Sequence, residues 1–206
     1  PSKSNNIVLK GILNKGDHFI TSSYEHPSIL GLTKELIKND IEVTFVKPDK
    51  KGIINAEKIN DAIKSDTKLI SIMYVNNELG TINPMYDIGS VAQENKILLH
   101  SDAVQYIGKE RIDLSKSKID FVSIGAHKFY GPKGIGALYI KSEHNLKPLI
   151  GGGGQESGLR AGTENISYIA GMCLALEIAN NDSEINKKIV QKLENYFFDK
   201  LKKSKI

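Results

Sequence analysis

Tryptophan is absent from this 206-residue chain, and cysteine occurs once, as Cys173. A single cysteine excludes an intrachain disulfide framework and favours a reducing setting, so a cytoplasmic location is expected. No apolar run approaches the ~18 residues that a membrane helix needs, so no membrane role is expected. Charge of one sign is scarce too. Against 28 Lys and Arg stand 24 Asp and Glu, a formal net charge of +4. That excess is small and scattered, which reads as a solvated surface and not as a nucleic-acid-binding face. The opening Pro1-Ser2-Lys3-Ser4-Asn5-Asn6 is not that of a signal peptide. Internal repeats and low-complexity segments are lacking, and no metal site is assigned.

What remains is a soluble, globular composition, 40% hydrophobic and 25% charged. Residues 7–15 carry apolar positions at helical spacing and close at Gly16-Asp17. Residues 18–23 read as a strand, Ser28 as the cap of a helix to about Lys38, and 41–46 as a strand. Asn55 is expected to cap a helix to Lys64. The near-continuous apolar run 68–75 suits a strand buried on both faces. Pro84 opens a helix to about Asn95, and 97–101 form another buried strand ending at Asp102. Apolar runs at 119–122 and 137–140 flank a loop. Strands alternating with helices predict an α/β fold, with three layers and a mostly parallel, mixed sheet carrying helices on both faces. Residues 165–179 read as a largely buried helix, and Ser183 as the cap of a final lysine-rich helix to about Lys203. The composition shift at Asn180-Asn181-Asp182 marks the expected domain boundary, between 1–180 and 181–206.

The rest of the chain is organised around Ser123-Ile124-Gly125-Ala126-His127-Lys128-Phe129-Tyr130-Gly131-Pro132-Lys133-Gly134. A lysine held just past a buried strand is unusual, because burying an ammonium is costly unless it is neutralised or used. One chemistry that uses it is Schiff-base formation with an aldehyde such as pyridoxal phosphate, which also needs a carboxylate near the pyridine nitrogen. Asp102 is the candidate carboxylate. Ligands of parallel sheets bind beyond the carboxyl ends of the strands. His26, Asn77, Asp102 and the pair His127/Lys128 all fall just past predicted strand ends. Any one of them alone is as well explained by a local loop role. A glycine-rich stretch, 151–163, with Arg160 and Thr163, precedes a helix and reads as an anion site or as a linker.

These motifs together resemble the cysteine desulfurases, fold-type I pyridoxal-phosphate enzymes of the class V aminotransferase superfamily, in the branch feeding iron–sulfur cluster assembly. The resemblance is carried by Ala-His-Lys-x-Tyr-Gly-Pro-Lys-Gly-Ile-Gly, Val-Asn-Asn-Glu-Leu-Gly, and Gly-Gly-Gln-Glu-x-Gly-x-Arg-x-Gly-Thr-x-Asn. It covers Ser4 to at least Ala179. It implies that Lys128 holds pyridoxal 5'-phosphate as a Schiff base and moves protons at the substrate Cα. It implies that Asp102 pairs with the pyridine nitrogen and that His26 stacks on the ring, making Lys128 and His26 the catalytic pair. By the same resemblance, Asn77 and Gln105 act near the ring hydroxyl, and Ser123 and His127 hold the phosphate. Thr163 reaches the phosphate of the other subunit of a homodimer, and Arg160 supports the shared loop. The implied substrate is L-cysteine, converted to alanine and an enzyme persulfide that passes to a sulfur acceptor or iron–sulfur scaffold protein.

The chain departs from the family's pattern in several places. Gly125 stands where a serine is common, and Ser2 where a phosphate-binding threonine is usual. The small C-terminal domain, with its mobile loop and nucleophilic cysteine, is not within these residues. Cys173, on a helix expected to be buried, is read as a small apolar residue. The alternatives are selenocysteine lyase or another class V enzyme, and a non-catalytic scaffold. The Gly-Gly-Gln-Glu loop argues against the aminotransferases.

Overall fold

The computed structural model describes residues 2–141 and 144–204, so Pro1 of the opening segment lies outside the described residues. The helices are α1 (Ser2–Ile12), α2 (Pro27–Lys38), α3 (Ala56–Asp61), α4 (Met85–Glu94) and α5 (Ile166–Lys203). The strands are β1 (His18–Ser22), β2 (Glu42–Val46), β3 (Thr67–Ser71), β4 (Leu98–Asp102), β5 (Phe121–Gly125) and β6 (Gly136–Ile140).

The six strands form one sheet in the order β2-β1-β3-β4-β5-β6. All pair in parallel except β5 with β6, which run antiparallel from Gly125↔Gly136 to Phe121↔Ile140. The link between β5 and β6 is too short for a crossover helix, so the chain turns back on itself. β1 is buried along its whole length, as a central parallel strand covered on both faces must be.

Side-chain alternation divides the core in two. Phe19, Leu69 and Phe121 point to one face, where Ile7, Val8 and Leu9 of α1 and Ile29, Leu32 and Leu36 of α2 cover them. Ile20, Ile70, Leu99 and Val122 point to the other face, against Ile59 of α3, Met85 and Ile88 of α4, and Met172 of α5. The mixed three-layer sheet expected from the sequence is present.

Three local expectations need correction. The N-cap of α2 is His26, not Ser28. Pro27 takes the first helical position, and the His26 imidazole accepts from the Ser28 N–H. A proline there fits because its missing N–H would have had no helical partner. Second, α5 is one unbroken helix. Ser183 does not cap a new helix; its hydroxyl donates back to Asn180 O at 3.0 Å within α5. Third, most of α5 is exposed, Cys173 included. Its apolar residues, among them Ile185, Ile189, Leu193 and Phe197, lie open. Periodicity identifies an apolar face, but it does not say what covers that face.

Candidate active site at the carboxyl ends of the strands

Four neighbouring parallel strands, β1, β3, β4 and β5, end on one rim, and each delivers a polar group to it. Pairing across β4 and β5 aligns Asp102 with Ser123. It continues past β3, where the Tyr74 N–H donates to Asp102 O at 3.0 Å. Because the strands are in register, the segments that follow them emerge side by side. These carry His26 after β1, Asn77 after β3, Asp102 at the tip of β4, and a 3-10 turn, Ala126–Lys128, after β5.

The lysine turn is anchored from below. Phe129 and Gly131 N–H both donate to Ala126 O, at 3.1 and 2.9 Å. The Phe129 ring is buried against Gly108, whose φ is +81°. A Cβ on Gly108 would sit 2.4 Å from Phe129 Cβ, so only glycine permits both the turn and the close approach. His127 and Lys128 are left exposed on the rim. Among the described residues, no hydrogen bond or ion pair engages the Lys128 amine. Burial holds Lys109 below its ordinary value, and the neighbouring charge of Lys128 adds to the shift. Desolvation, and then Lys128, hold His127 below its ordinary value, which favours the neutral imidazole.

Asp102 is 5% exposed. Its Oδ1 accepts from the Val104 N–H at 3.1 Å, and its Oδ2 from Asn5 Nδ2 at 2.8 Å. Two donors leave this carboxylate with spare acceptor capacity. Asn76 ties down its loop, donating to Tyr24 O and accepting from the Glu78 and Leu79 N–H groups. That leaves Asn77 exposed beside it. Gln105 follows β4 in a turn pinned by Tyr106, whose ring stacks on Tyr74 at 3.9 Å. Its Oε1 accepts from Lys109 Nζ at 2.7 Å.

Ser123 is not on this rim. It is fully buried, and its Oγ lies 3.0 Å from His100 Nε2. Ser123 lies two residues before the end of β5, on the face of Phe121, and is enclosed in the sheet–helix interior against His100. His100 also bonds Ser71 Oγ through Nδ1 at 2.8 Å. Burial pushes its imidazole down to about 3, so it stays neutral and ties three strands together. Thr163 is exposed on the 151–163 loop. Arg160 supports that loop, reaching Gly162 O at 3.0 Å and Thr163 O at 3.5 Å. The loop also holds Glu156 and Ser157 in left-handed backbone, at φ 50° and 56°.

Motif reading missed Glu25, which lies directly beneath the site. It is 3% exposed. Its Oε1 accepts from Ser22 Oγ at 2.6 Å and the Met73 N–H at 2.9 Å, while Oε2 has no partner among the described residues. Desolvation raises its pKa to about 8, and the charge of Asp102 adds to the shift. The folded chain therefore keeps Glu25 protonated at neutral pH. A carboxyl whose folded pKa is raised contributes stability in full below its unfolded pKa of 4.5 and loses it as pH rises towards 8. Glu25→Gln mimics the protonated form and should flatten that loss. The gap between variant and wild type in urea unfolding should widen in the variant's favour by on the order of 4 kcal/mol from about pH 5 to about pH 9. A pH-independent gap would contradict the protonated assignment.

A surface hollow of about 540 Å³ lies at the opposite edge, between the ends of α1 and α2. Its Lys10–Glu35 and Lys15–Asp40 charges are already paired at 2.7 and 2.8 Å. No described helix is long and apolar enough to cross a membrane, and no described cluster of His, Cys, Asp or Glu could hold a metal ion.

The family model for class-V aminotransferases matches residues 2–206. A curated relative, cysteine desulfurase IscS of Methanosarcina thermophila, is 44% identical over 206 residues, covering 98% of this chain and 51% of its own. Among solved structures, a NifS-like protein superposes with a TM-score of 0.93 at 39% identity, over 98% of this chain and 57% of that one. SspA in complex with cysteine gives a TM-score of 0.82 at 46% identity, over 85% and 52%. The chain spans about half the length of the curated relatives it matches.

Proposed function

We propose, from the premise that this chain belongs to the aminotransferase class-V family, that it is the cofactor-binding part of a cysteine desulfurase. The family is one of pyridoxal-phosphate enzymes. The rim suits that group by the chemistry of its donors. Lys128 offers an amine with no partner among the described residues, and Asp102 a fixed carboxylate with acceptor capacity to spare. His26 offers an exposed ring beside them. For the phosphate, the first turn of α1 opens at the same rim. Ser4 Oγ reaches Ala137 O at 3.3 Å, next to the end of β5, so the N–H groups of that turn, with Ser2 and His127, are the donors this reading assigns to the phosphate.

Once bound, pyridoxal phosphate supplies an electron sink for a carbanion at the substrate Cα. Lys128 would hold the cofactor and serve as the base for the α-proton. Asp102 would keep the pyridine nitrogen protonated. His26 would lie against the ring, and Asn77 and Gln105 would act near its hydroxyl. The single observation that carries this reading is the convergence of Lys128, Asp102 and His26 on one rim.

The substrate is L-cysteine and the products are alanine and a persulfide. Cys173 is exposed on α5, whose approach to the lysine turn is made by Gly171 against Pro132, so we assign the sulfur-accepting cysteine to sequence outside these residues. The relatives' greater length and the open apolar face of α5 support a further domain packed on residues 181–206. We also propose a cytoplasmic homodimer in which the strained 151–163 loop carries Thr163 to the partner's phosphate site. The sulfur then passes to an acceptor or iron–sulfur scaffold protein.

The full-length protein, incubated with cofactor and L-cysteine, should release alanine, with sulfide in equal amount when a thiol reductant is present. A keto acid would point to an aminotransferase. Turnover of selenocysteine alone would point to a lyase.

A further inference from the structure

Asn5 is fully buried on α1, and its side-chain amide donates twice, to Asp102 Oδ2 at 2.8 Å and to Ser28 Oγ at 2.8 Å. Its Oδ1 has no partner among the described residues. The orientation of the amide follows from charge, because the reverse would set Oδ1 against the Asp102 carboxylate. Ser28 Oγ thus receives the Asn5 proton and directs its own at His26 Nδ1, 2.8 Å away. The same Nδ1 accepts from the Ser28 backbone N–H at 3.1 Å, a group that can only donate. A nitrogen facing two donors must present its lone pair, which leaves the proton of the neutral ring on Nε2.

We propose that Asn5 and Ser28 are positioning residues. They link the Asp102 carboxylate to His26 by hydrogen bonds that diverge from Asn5, which donates both to Asp102 and to Ser28, and the Ser28 hydroxyl donates on to His26 and fixes the imidazole as its Nε2–H tautomer. The free edge of His26 then donates at the rim and has no lone pair with which to take a proton. This leaves proton abstraction to Lys128. The inference rests on the proposed roles of His26 and Asp102 but makes a separate claim about this chain's own protons.

The test is 15N NMR of the chain labelled at its five histidines, with and without pyridoxal phosphate, the His26 signals being assigned with His26→Gln. The wild type should show Nε2 protonated and Nδ1 unprotonated. Ser28→Ala, at a half-buried position where folding is retained, should shift the Nδ1 resonance, and Ser28→Thr should restore it. Asp102→Asn should move the same resonance through Asn5, and that movement should vanish in an Asn5→Ala background. A proton on Nδ1 in the wild type, an Nδ1 signal indifferent to Ser28→Ala, or an Asp102 effect that survives Asn5→Ala would each overturn the chain. The predicted tautomer in a protein that never binds pyridoxal phosphate would support the chain while refuting the proposed function, so the two failures are distinguishable.

Discussion

Lys128→Ala should abolish covalent attachment of pyridoxal phosphate and slow exchange of the cysteine α-proton by roughly a thousandfold, about 4 kcal/mol of barrier. Folding should be nearly untouched. The Lys128 side chain is exposed and makes no hydrogen bond among the described residues, so its loss falls within the ~0.5 kcal/mol typical of surface substitutions. The turn that carries it depends instead on Phe129 and Gly108. The checks are absorbance of the desalted protein, α-deuterium exchange followed by NMR, and a urea midpoint. A variant that retains yellow colour after desalting, or exchanges near the wild-type rate, would remove Lys128 from the proposed role.

Asp102→Asn separates attachment from chemistry. The variant should still bind the cofactor through Lys128, yet lose α-proton exchange by roughly a hundredfold or more, since a neutral amide cannot hold the pyridine nitrogen protonated. An acceptor remains for the Val104 N–H, so the tip of β4 should persist. The substitution also removes the charge that helps to raise the Glu25 pKa. The loss of stability with rising pH should therefore begin at the same pH but be smaller, and be complete at a lower pH, in the variant. Exchange at near wild-type rate would refute the Asp102 role even if the Glu25 shift were seen.

Much of this arrangement is legible in the sequence because strand ends are. The apolar runs before His26, Asp102 and Lys128 mark buried strands. The rule that ligands sit past the carboxyl ends of parallel strands then sorts His26, Asn77, Asp102 and Lys128 onto one rim without coordinates. Pairings between segments far apart in sequence were not legible. Asn5, seen only as part of the opening segment, reaches Asp102 through the packing of α1 on β5 and β6. Nothing local in the sequence marks Glu25, yet burial in the fold makes it a neutral acid. Ser123, assigned to the phosphate by resemblance, instead lies two residues inside β5 and bonds the buried His100, a partner 23 residues away in sequence. In α5, the polar residues Asn180, Asn181 and Asp182 suggested a break, but three helix-tolerated residues do not stop a helix that has no proline or glycine there.

The most direct test of the central claim is borohydride reduction of the protein loaded with pyridoxal phosphate, followed by peptide mapping by mass spectrometry. The proposed site predicts one reduced adduct, on Lys128. Two other lysines stand close enough in sequence or space to compete: Lys109, which feels the charge of Lys128, and Lys133, which follows it on the same loop. An adduct on either of these, with Lys128 unmodified, would contradict the assignment.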